Sequence, residues 1–287
     1  MKLSLPLPPL GKKTKTVLGL HYTDKVIRLL ELGKDKKPVS EPIEVSLDGR
    51  DKESVLRELV QKYGLSGKRV ATCLSAGEGL LRFYKYPISL SKKDLQSAIE
   101  WTIKRELSSM KEETYYDYFI IEPKAGEKQL GVVIVLSRKE TVESLRKMLE
   151  DAGLKLHILD YEPIAIINYG LYHKLPVPFS ILYVDYDYYI LTTYSPTNIS
   201  YSLSHWSFAE FLKTKDEESF ESFFTEIRNI VILNDLSNMY VAGPILAEEE
   251  LLSSLMENLP ILGLLDLEEA KPNFFIPYIL SIRGLEE

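Results

Sequence analysis

The sequence predicts an α/β protein of two lobes, with a small α+β unit inserted into the first, and three observations carry that expectation. A chain of 287 residues with 45% hydrophobic content can bury more than one core. Runs of period-two apolar character alternate with runs of helical spacing over most of its length. Between Ser180 and Ser204 three short strand-like runs follow one another, as in a meander of a second sheet.

The first lobe opens with Gly19-Leu20-His21-Tyr22-Thr23-Asp24-Lys25-Val26-Ile27-Arg28-Leu29-Leu30-Glu31-Leu32, which reads as strand, tight turn, strand. Ile43 to Leu47 supplies a third strand. Asp51 to Tyr63 sets Val55, Leu56, Leu59, Val60 and Tyr63 at helical spacing, with Asp51 placed to cap the start and Gly64 to end it. Arg69 to Leu74 and Leu80 to Tyr86 are two further strands around the flexible Ser75-Ala76-Gly77-Glu78-Gly79 turn, and complete a sheet with a crossover helix.

From Pro87 to Tyr161 the pattern becomes helix, two strands, helix and strand, a compact α+β unit. Ser91 with Asp94 forms a capping box for a helix to Leu107, and Tyr115 to Ile121 and Leu130 to Leu136 are strands. Ser137 with Glu140 is a second capping box, opening a helix with Val142, Leu145, Met148 and Leu149 on one face and Gly153 at its stop. Lys155 to Tyr161 closes the unit as a strand. The expected division is a leader over 1–15, a first-lobe core over 16–86 plus 158–176, the insertion over 87–157, a second lobe over 177–273, and a closing helix over 274–287.

Composition narrows the function. A formal net charge of -7 without a dense basic run leaves little to neutralise a nucleic-acid backbone. The single Cys73 excludes an internal disulfide and fits a reducing compartment. Abundant Lys, Glu and Tyr beside few Cys and Met lean toward a thermophile. The first ten residues are apolar but broken by three prolines, with Lys12, Lys13 and Lys15 behind them, the reverse of a signal peptide. No window reaches the roughly 18 apolar residues of a membrane span. A cytoplasmic chain with a short, mobile or partner-docked leader is expected.

The opening hairpin resembles that of PilM-type pilus-assembly proteins of the actin-like ATPase superfamily, which runs Gly-Ile-Asp-Ile-Gly-Ser-Ser-Ser-Val-Lys-Val-Val-Glu-Leu. Further matches in order are Tyr86-Pro87, the helix Ser91 to Leu107, Tyr116-Asp117-Tyr118, Val132 to Leu136 and Asp151-Ala152-Gly153-Leu154. Beyond them come Phe208 to Lys213, Phe223 to Asn234, Met239 to Pro244 and the ending Ser281-Ile282-Arg283-Gly284-Leu285-Glu286. The resemblance implies an actin-like, RNase H-like two-lobed fold whose second lobe is reduced. The interval from Lys213 to Phe223 is far shorter than in that family.

The same resemblance implies a nucleotide site that has degenerated. His21 falls on the metal-side Asp, Thr23 on the turn Gly and Asp24 on the first Ser, with Lys25 beside them. Asp185-Tyr186-Asp187-Tyr188 stands for the second phosphate loop, Asp-Ile-Gly-Ala, and Pro244 replaces the second glycine of the Gly-Gly turn that starts at Gly243. Phosphate loops need glycines so that backbone N–H groups converge on the anion, and carboxylates at Asp24 and Asp187 repel it. The expectation is therefore no productive ATP use and no cofactor. ATP with Mg, held by Lys25, Arg28 and a metal on Asp185, is the alternative. A nuclease-like metal pair on Asp185, Asp187 and Glu31 ranks behind both.

Histidines 21, 157, 173 and 205 show no zinc-ligand spacing, and Cys73 on an apolar strand reads as core. The tyrosine-rich run Tyr183 to Tyr201 reads as a packed sheet face rather than a ligand platform. The resemblance implies a scaffold of a type IV pilus or related secretion platform that binds the cytoplasmic N-terminal segment of a PilN-like membrane protein, and so reaches the inner membrane through that partner. The cytoplasmic domain of a GspL-type secretion protein is the alternative, and the lack of a span after Glu287 favours the PilM-like reading. Arg82, Tyr84 and Tyr86 are expected to line the partner groove, as an aromatic and cationic strand that an extended peptide can join.

Overall fold

The computed structural model describes residues 16–123 and 126–287. The leader expected at 1–15 lies outside them. The first part of the chain runs β1 (Thr16–Tyr22), β2 (Val26–Gly33), β3 (Ile43–Ser46), α1 (Lys52–Lys62), β4 (Arg69–Leu74), β5 (Gly79–Pro87), α2 (Lys92–Ser109), β6 (Thr114–Ile121), β7 (Gln129–Arg138), α3 (Lys139–Asp151), β8 (Lys155–Tyr161) and α4 (Glu162–Tyr172). The second part runs β9 (Phe179–Val184), β10 (Tyr189–Ser195), β11 (Asn198–Ser204), α5 (Phe208–Thr214), α6 (Glu217–Leu233), β12 (Met239–Ala242), α7 (Glu249–Asn258), β13 (Ile261–Leu264) and α8 (Phe275–Glu286).

Three sheets result, ordered β3-β2-β1-β4-β8, β11-β10-β9-β12-β13 and β5-β7-β6. In the first, β1 is antiparallel to β2 and parallel to β4, which is parallel to β8. In the second, β9 to β11 form the expected antiparallel meander and β12 joins β9 in parallel. Helix α1 starts as its sequence requires, with the Asp51 carboxylate accepting from the Ser54 amide at 2.9 Å.

Strand alternation distributes the core between the lobes. Ile181, Tyr183 and Ile190 face the large core shared with the first lobe, whereas Leu182, Val184, Tyr189 and Leu191 face a second core built with α5, α6 and α7. Tyr183 stacks on Phe275 with ring centroids 5.7 Å apart. Tyr183 and Tyr189 are packing groups, whereas Tyr188 of the same run lines the interlobe cleft.

Helix α8 lies directly on the first sheet. A Cβ at Gly284 would stand 2.6 Å from Val17 Cγ1, and one at Gly19 would stand 2.0 Å from the Pro277 carbonyl oxygen. Ser281 Oγ donates to the Leu30 carbonyl at 2.9 Å. The Arg-Gly-Leu-Glu ending is thus a close-packing motif, in which the glycine lets helix and strand backbones approach.

Four sequence expectations are corrected. Strand β5 leaves the first sheet and pairs with β7 from Gly79↔Ser137 to Pro87↔Gln129, while β8 leaves the inserted unit and pairs with β4. Sheet membership therefore puts the unit's edges near 79 and 138 rather than at 87 and 157, because alternation marks a strand but not its distant partner. The apolar row of α3, Val142, Leu145, Met148 and Leu149, belongs to the first-lobe core. Ser137 caps no helix, since its hydroxyl donates to the Glu78 carbonyl at 2.8 Å, and α3 begins after Arg138 without a side-chain cap. Ser91 does cap α2, accepting from the Asp94 amide at 3.2 Å.

Candidate functional site

The β1–β2 turn and the β9–β10 turn meet across a cleft of about 390 Å³, lined among others by Thr23, Asp24, Lys25, Lys52, Glu78 and Asp187. The structure therefore brings Thr23, Asp24, Lys25 and Asp187 together at one mouth. The turn that a phosphate would need is already satisfied internally. Thr23 Oγ1 accepts from the amides of Lys25 and Val26 at 3.0 and 3.2 Å, and the Thr23 amide donates to the Val26 carbonyl at 2.9 Å. Asp187 accepts from Ser207 Oγ at 3.3 Å.

Beneath that mouth the two lobes are joined by charge. Arg28, central in β2 and wholly buried, grips Asp185 with both guanidinium ends, Nη1 to Oδ2 at 2.6 Å and Nη2 to Oδ1 at 2.7 Å. Its Nε donates to Glu44 Oε2 at 2.6 Å. Asp185 accepts two more bonds, from Tyr183 OH to Oδ2 and from the Tyr186 amide to Oδ1, each at 2.7 Å. Two donors on each oxygen use its accepting capacity in full. Burial pushes the Asp185 carboxyl up, but the Arg28 guanidinium outweighs it and holds the group well below the usual carboxylate range.

His21 is buried in the same seam. Its Nε2 lies 3.2 Å from Glu162 Oε1 and its Nδ1 lies 3.4 Å from Arg28 Nη1. Glu162, buried at the start of α4, also accepts from the Ala76 amide at 3.0 Å and from the Tyr188 hydroxyl. His21, Arg28, Glu162, Asp185 and Tyr188 thus form one hydrogen-bonded network that ties β1 and β2 to α4 and β9–β10. A metal on Asp185 would have to displace Arg28. Glu31, the third carboxylate of the nuclease-like reading, pairs with Lys68 instead. Among the described residues no three His, Cys, Asp or Glu side chains cluster as metal ligands.

Gly243 and Pro244 do not line the cleft. Gly243 has φ +93°, and a Cβ there would stand 2.6 Å from the Val184 carbonyl and 2.9 Å from the Tyr183 ring. The Gly243-Pro244 turn is thus packed against Tyr183.

The roles of Glu44, Glu162 and Tyr188 escaped the sequence reading, which named Arg28 only as a possible compensating cation. The available signal was Arg28 itself, an arginine inside the apolar run Val26-Ile27-Arg28-Leu29-Leu30. Such a side chain requires a buried acid.

The residues expected to line the partner groove face α2. Tyr84 OH donates to Glu106 at 2.5 Å, Arg82 pairs with Glu106 at 3.4 Å, and Tyr86 OH meets Thr102 Oγ1 at 2.6 Å, all on α2. Leu81 and Phe83, on the opposite face of β5, pack against the large core that the two lobes share. A separate cleft of about 80 Å³ opens between edge strand β6 and the first lobe, with Leu74, Asp117, Phe119, Val135, Leu159 and Arg283 in its lining. Arg283 pairs there with Asp160.

Three solved structures of similar architecture cover nearly the whole chain. The PilM-PilN type IV pilus biogenesis complex superposes with a TM-score of 0.75 at 16% identity, over 96% of this chain and 100% of that one. The cytoplasmic domain of EpsL, an inner-membrane component of the Vibrio cholerae type II secretion system, gives 0.53 at 13% identity, over 95% of each chain. A Bacteroides thetaiotaomicron protein of actin-like ATPase fold and unknown function gives 0.52 at 11% identity, over 96% of this chain and 99% of that one. The fold is therefore actin-like. No curated protein sequence matches the chain significantly. The profile of the type IV pilus assembly protein PilM family matches residues 43–191, just over half of the chain. The protein is a member of the PilM family.

Proposed function

We propose that the protein is a cytoplasmic scaffold of a type IV pilus or related secretion platform, which binds the N-terminal segment of a PilN-like membrane protein and does not turn over ATP. The observation that carries the second half is the Arg28–Asp185 lock. The aspartate that the alternative reading gave to a metal is occupied by Arg28, Tyr183 and the Tyr186 amide, two amides of the first phosphate turn are spent on Thr23, and Asp24 and Asp187 add negative charge at the mouth. The PilN-like partner is supported by the similarity to the PilM-PilN complex and by the β6 cleft, where a sheet edge stands over an apolar floor between charged Asp117 and Arg283. An extended segment can add to such an edge and seat alternate side chains.

Calorimetric titration with ATP and Mg²⁺ is expected to show no saturable heat at millimolar nucleotide, and saturable binding would refute the lock's role. In fluorescence anisotropy with a PilN-type N-terminal peptide, Phe119→Asp is expected to weaken binding more than about ten-fold, whereas Arg82→Glu leaves it within about two-fold. The reverse pattern would return the groove to the α2 face of β5.

A further inference from the structure

Helix α2 covers the outer face of the small sheet, and one side of it is unexplained by packing. Ile99, Thr102 and Ile103 are buried, the two isoleucines against Val132, Ile134 and Leu136. On the opposite side Trp101 is 62% exposed. Lys93, Lys104 and Arg105 are also exposed, and their offsets of eight, three and four residues from Trp101 place them on its face of the helix. The Arg105 guanidinium lies 5.0 Å from the Trp101 ring centroid. Asp94, held by Ser91 Oγ at 2.6 Å, and Glu100, held by Gln96 Nε2 at 3.1 Å, are the acids of this face.

Charge sets this region apart from the rest of the molecule. Over residues 79–138 Lys and Arg outnumber Asp and Glu by ten to eight, in a chain of net charge -7. We propose that the Trp101 face of α2 is a docking surface for anionic lipid headgroups. The 18-residue helix is about 27 Å long and presents Lys93, Lys104 and Arg105 around one amphipathic ring, Arg105 also pairing with Glu106 at 3.9 Å. Tryptophan prefers the headgroup layer, and lysine and arginine beside it are drawn to a negative leaflet. The acidic remainder of the molecule is repelled by the same leaflet, which orients the inserted unit toward it.

The test is sedimentation of the full chain with vesicles of phosphatidylcholine alone or with about 30% phosphatidylglycerol, at low and at physiological salt. Trp101 reports on itself once Trp206, buried and stacked on Phe223 at 3.9 Å, is replaced by Phe. Binding to anionic but not neutral vesicles is expected, with a blue shift of Trp101 emission. The double variant Lys93→Glu, Lys104→Glu should lose at least about ten-fold in partitioning while keeping the parent's melting temperature. Absence of binding to anionic vesicles at low salt would overturn the proposal. So would binding that the double variant leaves unchanged, or an unshifted Trp101, since contact would then lie elsewhere or involve a protein. None of these outcomes bears on peptide binding at the β6 cleft, which is measured without lipid.

Discussion

Replacing Arg28 by Met would leave a stem of similar length in β2 but strand the Asp185 carboxylate, a residue only 1% exposed. Asp185 would keep the Tyr183 hydroxyl and the Tyr186 amide and lose both guanidinium donors. Glu44, whose side chain is 25% exposed, can rehydrate, so the cost rests on Asp185. Removing one partner of a buried pair destabilises by roughly 3–5 kcal/mol. At about 2–4 °C per kcal/mol for a protein of this size class, the melting temperature should fall by roughly 6–20 °C. The double variant Arg28→Met, Asp185→Leu removes both charges and should lose less than half as much. Thermal melting followed by circular dichroism at neutral pH reads both. A shift below about 2 °C for Arg28→Met, or a double variant that loses the sum of the two single changes, would refute the lock.

Four further outcomes follow from the same geometry. Because Asp185 titrates below its unfolded value near 3.9, the stability it contributes is present above that pH and disappears on further acidification. Asp185→Asn should accordingly flatten the acid limb of a melting-temperature profile below about pH 4. Burial, reinforced by Arg69, lowers the His157 pKa from 6.5, so its imidazole should titrate below that value by NMR and move toward it in Arg69→Gln. Gly19→Ala sets a methyl against the Pro277 carbonyl and should cost at least about 3 kcal/mol in chemical denaturation, by prising α8 from β1. Gly243→Ala meets both a positive φ and the Val184 carbonyl, and should destabilise by about 2 kcal/mol or more in the same assay.

Local chemistry made most elements readable in the chain. Asp51 and Ser91 cap the helices they precede, the opening hairpin forms where Thr23 and Asp24 interrupt two apolar runs, and the meander appears between residues 179 and 204. What stayed hidden were choices between distant partners. The alternation of β5 and β8 is equally compatible with either sheet, and Ser137 has the right neighbours for a cap but is drawn to the Glu78 carbonyl, 59 positions away. The site divided the same way. The loss of glycines at Thr23 and Asp187 could be read directly, yet the closure of the seam could not. Arg28, Glu44, Glu162 and Asp185 come from four separated segments, and Arg28 reaches Asp185 only once the lobes have met. That Arg82, Tyr84 and Tyr86 form the row of β5 covered by α2 could not be read, because period-two patterning names two rows without saying which one a helix will cover.

The seating of α8 has a consequence for biosynthesis. Strands β1, β2 and β4 are all translated by residue 74, yet the helix that closes over them is made of residues 275–286. Until the ribosome has delivered residues 275–286, the early strands present a bare apolar flank that other nascent chains or a chaperone can engage. Closure of the first lobe is therefore governed by long-range contact, and any change that hinders the final turns of α8 would expose strands made far earlier in the chain.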